Sequence, residues 1–314
     1  MEILKIIFAG TSHFSAQHLL SLLNLSYNVV SIITQPDRPC GRGQKIIFSP
    51  IKLLSIKYNI PLLQPSNLHE EQFQKKISQL HANIMIVVAY GRIIPKNILT
   101  MFSKGCINVH ASLLPRWRGA TPIQSSILNG DKETGISIIY MDEKLDHGDI
   151  IHSRKCDISP TDTTFSLSEK LKKIGICTLL EALKKIQYNN VIKRKQNEEN
   201  ATTSKKIFKQ DALLNWKLEA KQLERLIRAF NPWPICYFIV QKNIIKVWKA
   251  SVIKHTLANV SIGEIVSFNK QGIQINTSHK ILNIEKIQFP GKNIIDIQKI
   301  LKSKKTWFKL GTII

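Results

Sequence analysis

The first half of this chain alternates short, apolar, β-branched runs with stretches of helical spacing, and that alternation limits its fold more than any other feature. Residues 4–9, 29–34, 84–89, 106–109 and 136–140 read as strands buried on both faces, because runs this short and apolar suit a covered sheet. Between them, residues 14–23, 51–58, 70–80 and 123–128 place their apolar side chains three and four apart, as one face of a helix does. Strands alternating with helices pack as right-handed crossover units, so a mostly parallel α/β sheet is expected. A longer helical pattern over 163–186, after the cap-like residues 159–162, closes this half.

The remainder changes character. Residues 188–210 fade into Asn, Lys and Glu and read as a connection rather than an element. At about 150 residues per domain, a length of 314 already predicts two domains. The expected division is a domain over 1–188, a basic linker over 189–210 and a second domain over 211–314. In the last part a helix-like stretch, 218–230, ends at Asn231-Pro232-Trp233-Pro234. Strand-like runs follow at 236–240, 244–248, 264–266, 272–275 and 282–287, a spacing that suggests a small barrel of the oligonucleotide-binding type.

Lys and Arg number 45 against 22 Asp and Glu, a formal net charge of +23. Such an excess suggests a polyanionic partner, nucleic acid first. The chain is also rich in Ile, Lys and Asn, as an AT-rich genome would make it without any demand of function. Lys172, Lys173, Lys184, Lys185, Lys193, Arg194, Lys195, Lys205, Lys206 and Lys209 either line a face for RNA or sit on solvated surfaces. The five cysteines are odd in number, widely spaced and without a CxxC pair, which argues against a disulfide framework and a cysteine zinc site. The apolar run at the N-terminus stops at Gly10, too short for a signal peptide core. No internal stretch approaches the roughly 20 apolar residues of a bilayer span. A cytoplasmic protein that acts as a monomer, away from membranes, is expected.

Residues 8–11, Phe-Ala-Gly-Thr, follow the first strand as a dinucleotide-binding glycine loop would, but the GxGxxG spacing is missing. No acid ends the second strand, where Thr34-Gln35-Pro36 stands, so Gly10 reads as a tight turn. The run Cys106-Ile-Asn-Val-His110 is more informative. Side chains two apart share a face of a strand, so Asn108 and His110 point together. At the carboxyl end of a parallel strand, where ligands bind, the amide can meet an oxyanion and the imidazole can move a proton. The same pair also serves structure in many strands. Asp142, Asp146 and Asp149 follow the next strand; one of them can reach that mouth, or all can cap a turn around Gly148, and spacing does not choose. Residues 36–45 form a Pro- and Gly-punctuated loop whose Arg38, Arg42 and Lys45 either track a phosphate backbone or face solvent. Trp233, between two prolines, offers a stacking surface, although closure of a core is the expected role.

On QPDRPCGRG (35–43), VVAYG (87–91), INVHASLLPRWRGATPIQ (107–124), LDHGD (145–149) and RAFNPWP (228–234), the sequence closely resembles the methionyl-tRNA formyltransferase family along nearly its full length. Asn-x-His with a later Asp marks only the wider group of 10-formyltetrahydrofolate transferases and hydrolases; the other motifs narrow it. The resemblance implies a Rossmann-like catalytic domain, a linker and an OB-like C-terminal barrel that helps hold tRNA. It implies 10-formyltetrahydrofolate as donor, initiator methionyl-tRNA as acceptor and no metal. It makes Asn108, His110 and Asp146 the catalytic trio, Ser112, Leu113, Leu114 and Pro115 the folate-contacting loop, and Arg38, Arg42 and Lys45 contacts to the acceptor arm. Some positions depart from the family pattern. Ser12 and His13 replace Pro and Asp, Asn215 replaces Asp, and Lys144 and His147 stand where Gly and Thr are usual. His147 is therefore expected to compete for the Asp146 carboxylate, and Lys144 to strain a turn that needs glycine angles.

Overall fold

The computed structural model describes residues 3–40, 45–257, 259–301 and 307–314. The chain divides into two compact units: Met1–Pro122, Glu133–Asp157 and Ser168–Lys205 form the first, and Ile123–Lys132, Ile158–Leu167 and Lys206–Ile314 the second.

Up to the second unit's own sheet the elements run β1 (Lys5–Gly10), α1 (His13–Asn24), β2 (Asn28–Ile33), β3 (Arg38–Cys40), β4 (Lys45–Ile47), α2 (Pro50–Tyr58), β5 (Leu62–Leu63), α3 (Glu71–Gln79), β6 (Ile84–Val88) and α4 (Lys96–Leu99). They continue with β7 (Cys106–His110), β8 (Arg118–Gly119), α5 (Pro122–Asn129), β9 (Glu133–Tyr140), β10 (Ile150–Asp157), α6 (Thr164–Gln187) and β11 (Thr203–Ser204). The main sheet has the order β10-β9-β7-β6-β1-β2-β5. Strands β5, β2, β1, β6 and β7 are parallel, whereas β9 runs antiparallel to β7, and β10 to β9. The expected Rossmann-like α/β sheet is therefore present, with an antiparallel edge.

Each residue of β6 is buried, which is why its sequence is an unbroken apolar run. Ile7, Ala9, Ile33, Met85 and Val87 share a core with Phe73 and Ile77 of α3. Helix starts follow local chemistry. Ser49 caps α2 by accepting the Lys52 N–H, with Pro50 in its first turn, and Ser12 caps α1 by accepting the Ser15 N–H at 3.2 Å. The departure at Ser12 thus supplies a helix cap. Gly10 is required by close approach rather than by a turn: a Cβ there would stand 2.7 Å from that of Ser15.

His18 lies on the buried face of α1. Its Nδ1–H donates to the Phe14 carbonyl at 2.8 Å, and its Nε2 has no partner. Gly175 of α6 leaves room for the ring, since a Cβ there would stand 2.6 Å from that nitrogen. Burial pushes the imidazole pKa from 6.5 down to about 4. Above pH 6.5 both the folded and unfolded chains leave His18 neutral. As pH falls towards 4 the unfolded chain gains a proton that the fold refuses, so stability drops across that window by about 3 kcal/mol. Urea unfolding at pH 7 and pH 4 should show this loss in the parent and not in His18→Leu; equal losses in both would refute the assignment.

The second unit contains α7 (Ala220–Ala229), β12 (Tyr237–Val240), β13 (Asn243–Ile253), β14 (Ile265–Asn269), β15 (Gly272–Asn276), β16 (Ile281–Gln288) and β17 (Ile294–Asp296). Its sheet is antiparallel, in the order β12-β13-β16-β15-β14 with β17 also on β16, and forms a half-barrel. Ala220, Leu223 and Ile227 make the buried stripe of α7, which packs on β13. The expectation that Trp233 closes the core fails, for its side chain is 51% exposed while Phe230 is buried. The chain bends between Phe230 and Ile235, whose N–H returns to the Phe230 carbonyl at 3.0 Å, and the bend carries Trp233 outward.

Candidate active site

Strand β7 buries Val109 on one side of the sheet and directs Asn108 and His110 to the other. Because β9 is antiparallel, Tyr140 at its end pairs with Ile107, below the level of His110, which pairs with Ser137. A parallel strand would have delivered the acids of 142–149 straight to the mouth. Here the segment must fold back, and three features make it do so. Tyr140 N–H donates to the Asp149 carbonyl at 2.9 Å. Gly148 lies so close that a Cβ would stand 1.8 Å from the Tyr140 oxygen. Asp146 itself adopts a left-handed backbone, with φ 53°.

The folded-back segment buries Asp146 against both residues of β7. Its Oδ1 accepts from the Asn108 amide at 3.0 Å and lies 3.5 Å from His110 Nδ1. Its Oδ2 accepts the Gly119 N–H at 2.9 Å. Asp142 instead turns inward on its own loop, accepting the Lys144 N–H at 3.0 Å and facing His147 Nδ1 at 2.6 Å. Asp149 is half-buried and contributes its carbonyl. The choice left open by spacing is thus made by the loop: Asp146 meets the pair and Asp142 holds the turn.

His110 is oriented from its far edge. Its Nε2 lies 2.9 Å from the Trp117 carbonyl, which can only accept, so Nε2 carries a hydrogen and the Nδ1 edge faces Asp146. Trp117, at φ 62°, is fixed in turn by its N–H bond to Thr202 Oγ1 at 2.9 Å, with the Arg116 guanidinium 4.5 Å from its ring centroid. These partners of the trio, the Trp117 carbonyl and the Gly119 amide, are backbone groups that side-chain patterns do not advertise.

The loop 112–115 divides its tasks. Ser112 is buried and its hydroxyl donates to the Arg116 carbonyl at 2.6 Å, while Leu114 is buried beside Ile139 and Ile150 with its N–H on Ser137 Oγ at 3.0 Å. Leu113 and Pro115 are half-buried. Arg38 is exposed at the start of β3, Lys45 opens β4, and Arg42 lies outside the described residues. Asp37 anchors this pair of strands through an ion pair with Lys52 and the Gln64 amide at 3.0 Å, and the Lys52 ammonium holds its carboxyl below the usual range. Gln64 also reaches the Gln35 carbonyl, and Gln35 the Tyr90 carbonyl, so QPDRP is tied to VVAYG.

Two expected disturbances do not occur. His147 lies between Asp142 and Glu198, at 2.6 and 3.3 Å, and does not compete for Asp146. Lys144 avoids the left-handed region, so no glycine is needed there. Asn215 accepts the Lys217 N–H at 3.1 Å, a task its side-chain oxygen shares with Asp. The basic residues of α6 and beyond are mixed: Lys172 pairs with Glu169 and Lys185 reaches His152, whereas Lys173, Lys184, Lys193, Arg194, Lys195, Lys205, Lys206 and Lys209 are exposed. Residues 190–205 are more than a connection. Arg194 bridges to Ile150, and β11 pairs with β8 beside the Gly119 amide. Among the described residues no group of three or more His, Cys, Asp or Glu is placed to hold a metal ion, and no helix is long and apolar enough to cross a membrane.

Residues 1–183 match the formyl transferase family and residues 206–305 the formyl transferase C-terminal domain. A methionyl-tRNA formyltransferase of Buchnera aphidicola subsp. Acyrthosiphon pisum (strain Tuc7) is 64% identical over 314 residues, the full length of both chains. The corresponding enzyme of Buchnera aphidicola subsp. Schizaphis graminum (strain Sg) is 63% identical, again over both full lengths. Among solved structures, the sugar 3N-formyl transferase WlaRD, determined in the presence of dTDP and 5-N-formyl-THF, superposes with a TM-score of 0.67 at 19% identity, covering 93% of this chain and 100% of its own.

Proposed function

The chain belongs to the methionyl-tRNA formyltransferase family, and we propose from that premise that Asn108, His110 and Asp146 carry its chemistry. The reaction moves the formyl group of 10-formyltetrahydrofolate to the free α-amino group of methionine on initiator methionyl-tRNA, giving N-formylmethionyl-tRNA. The observation that supports the assignment is the single carboxylate oxygen of Asp146 shared between the Asn108 amide and the Nδ1 edge of His110.

The α-amine of an aminoacyl ester is less basic than a free amine, so its lone pair is available near neutral pH. As it attacks the formyl carbon, negative charge gathers on the formyl oxygen. Asn108 has two amide hydrogens: Asp146 holds one, and the other meets that oxygen. The attacking nitrogen must shed a proton. With Nε2–H committed to Trp117, the acceptor that neutral His110 offers is Nδ1, and Asp146 stabilises the imidazolium formed. The same proton then goes to N10 of the departing tetrahydrofolate as the bond from N10 to the formyl carbon breaks. Positioning and hydrogen bonds supply the catalysis.

Within this reading the loop 112–115 contacts the folate, with Leu113 and Pro115 offering apolar surface and Ser112 and Leu114 holding its shape. Arg38, Arg42 and Lys45 meet phosphates of the acceptor arm. Residues 1–188 do the chemistry, 189–210 connect, and 211–314 help hold the tRNA in a cytoplasmic monomer. The test gives purified protein the formyl donor with charged initiator tRNA, with charged elongator methionine tRNA, and with no tRNA. Product formed mainly on the initiator is expected. Formyl release at the same rate without tRNA would mean a folate hydrolase instead.

A further inference from the structure

Residues 190–205 lie across the site, and one of their side chains grips the loop that presents Asp146. Gln196 Nε2 donates to the carbonyls of both Asp146, at 2.9 Å, and Gly148, at 2.8 Å. Its Oε1 accepts from Arg118 Nε at 3.0 Å. This fixes which way round the amide sits. Carbonyls accept and a guanidinium donates, so a flipped Gln196 would lose all three bonds. Arg118 is itself locked by a two-point ion pair with Glu198, at 3.0 and 2.7 Å. The chain between Asp146 and Gly148 includes the left-handed turn that aims the carboxylate at β7, and Gln196 fastens both ends of it.

We propose that Gln196 is a positioning residue for the reaction, holding Asp146 in register with Asn108 and His110. It touches none of the reacting atoms and acts through the backbone of Asp146, so the inference rests on the role given to Asp146 above. Neither carbonyl can satisfy the other, and a side chain without donors would leave both unpaired while the turn keeps its unfavourable backbone angles. The carboxylate would then sample positions away from His110, and misplacement by about 1 Å costs about 100-fold in rate.

The test compares Gln196→Met, which keeps the length without polar atoms, and Gln196→Glu, which keeps the acceptor for Arg118 but removes both donors. Each should lower kcat about 10- to 100-fold, with KM for the formyl donor and for methionyl-tRNA changed less than about threefold. A structural role alone would move thermal stability or both KM values and leave kcat near the parent. The double variant Gln196→Met with Asp146→Asn should be no slower than Asp146→Asn alone, because both changes act on one carboxylate. Parental kcat in both single variants, or losses that multiply in the double variant, overturn the proposal. Asp146→Asn with parental activity would instead overturn the role of Asp146 and this inference with it.

Discussion

Replacing His110 with alanine, or Asp146 with asparagine, should lower kcat for formyl transfer by about 10²- to 10³-fold, equivalent to about 2.7–4 kcal/mol of barrier. The two variants fail for different reasons. Without the imidazole, the attacking amine loses its acceptor, and the 2.9 Å contact of the ring with the Trp117 carbonyl goes with it. Asparagine preserves the shape of Asp146 but presents an NH2 to either the Asn108 amide or the Gly119 N–H, so one of those bonds becomes a donor facing a donor. It also removes the charge that stabilises the imidazolium. Neither residue lies in the basic loop 36–45, so affinity for methionyl-tRNA should stay within about threefold of the parent. Single-turnover formylation alongside a gel-shift titration measures both quantities. Weakened tRNA binding in step with the lost rate would show that the two roles are not separate.

Gly119→Ala should produce the second large effect, about 100-fold in kcat together with about 2–4 kcal/mol of stability. The residue sits at φ +118°, and a Cβ there would stand 2.4 Å from the carbonyl oxygen of Ser204, a backbone atom that cannot swing aside. Relief requires β8 to move away from β11, which takes the Gly119 N–H away from Asp146 Oδ2. Gly311→Ala is the matched control, because Gly311 also has positive φ, at +78°, but its Cβ would meet nothing within 4 Å. That change should cost stability through strain alone and leave kcat intact. Equal activity in the two variants would rule out the contact between β8 and β11 as a support for Asp146.

Much of the first unit is legible in the sequence. β6 is apolar at every position because both its faces are buried, and α1 and α2 begin at serines that cap them. Asn108 and His110 share a face because a strand repeats every two residues. The motifs QPDRPCGRG, VVAYG, INVHASLLPRWRGATPIQ, LDHGD and RAFNPWP carry the family resemblance. The outward course of Trp233 is not legible in the sequence, because two prolines set a bend whose direction depends on where Phe230 and Ile235 pack. The grip of Gln196 on the Asp146 loop has no local signal, because a glutamine in a polar run has no periodicity to mark it.

The sequence by itself determined the strands β1, β2, β6, β7 and β9, the helices α1, α2, α3, α5 and α6, the α/β class and the residue types at the end of β7, since these follow from local spacing and short-range chemistry. The edge strand β10 and the short pieces β3, β4, β5, β8 and β11 carry no such pattern. Tertiary structure decided that β9 runs antiparallel, which of Asp142, Asp146 and Asp149, left open by local spacing, reaches the pair, and that the polar stretch after α6 returns to brace it. Those outcomes depend on contacts between residues far apart in the chain, such as Asn108 with Asp146, Gly119 with Ser204 and Gln196 with Gly148. Their energies come from pairing specific donors, acceptors and backbone surfaces once the chain has brought them together, so no local pattern encodes them.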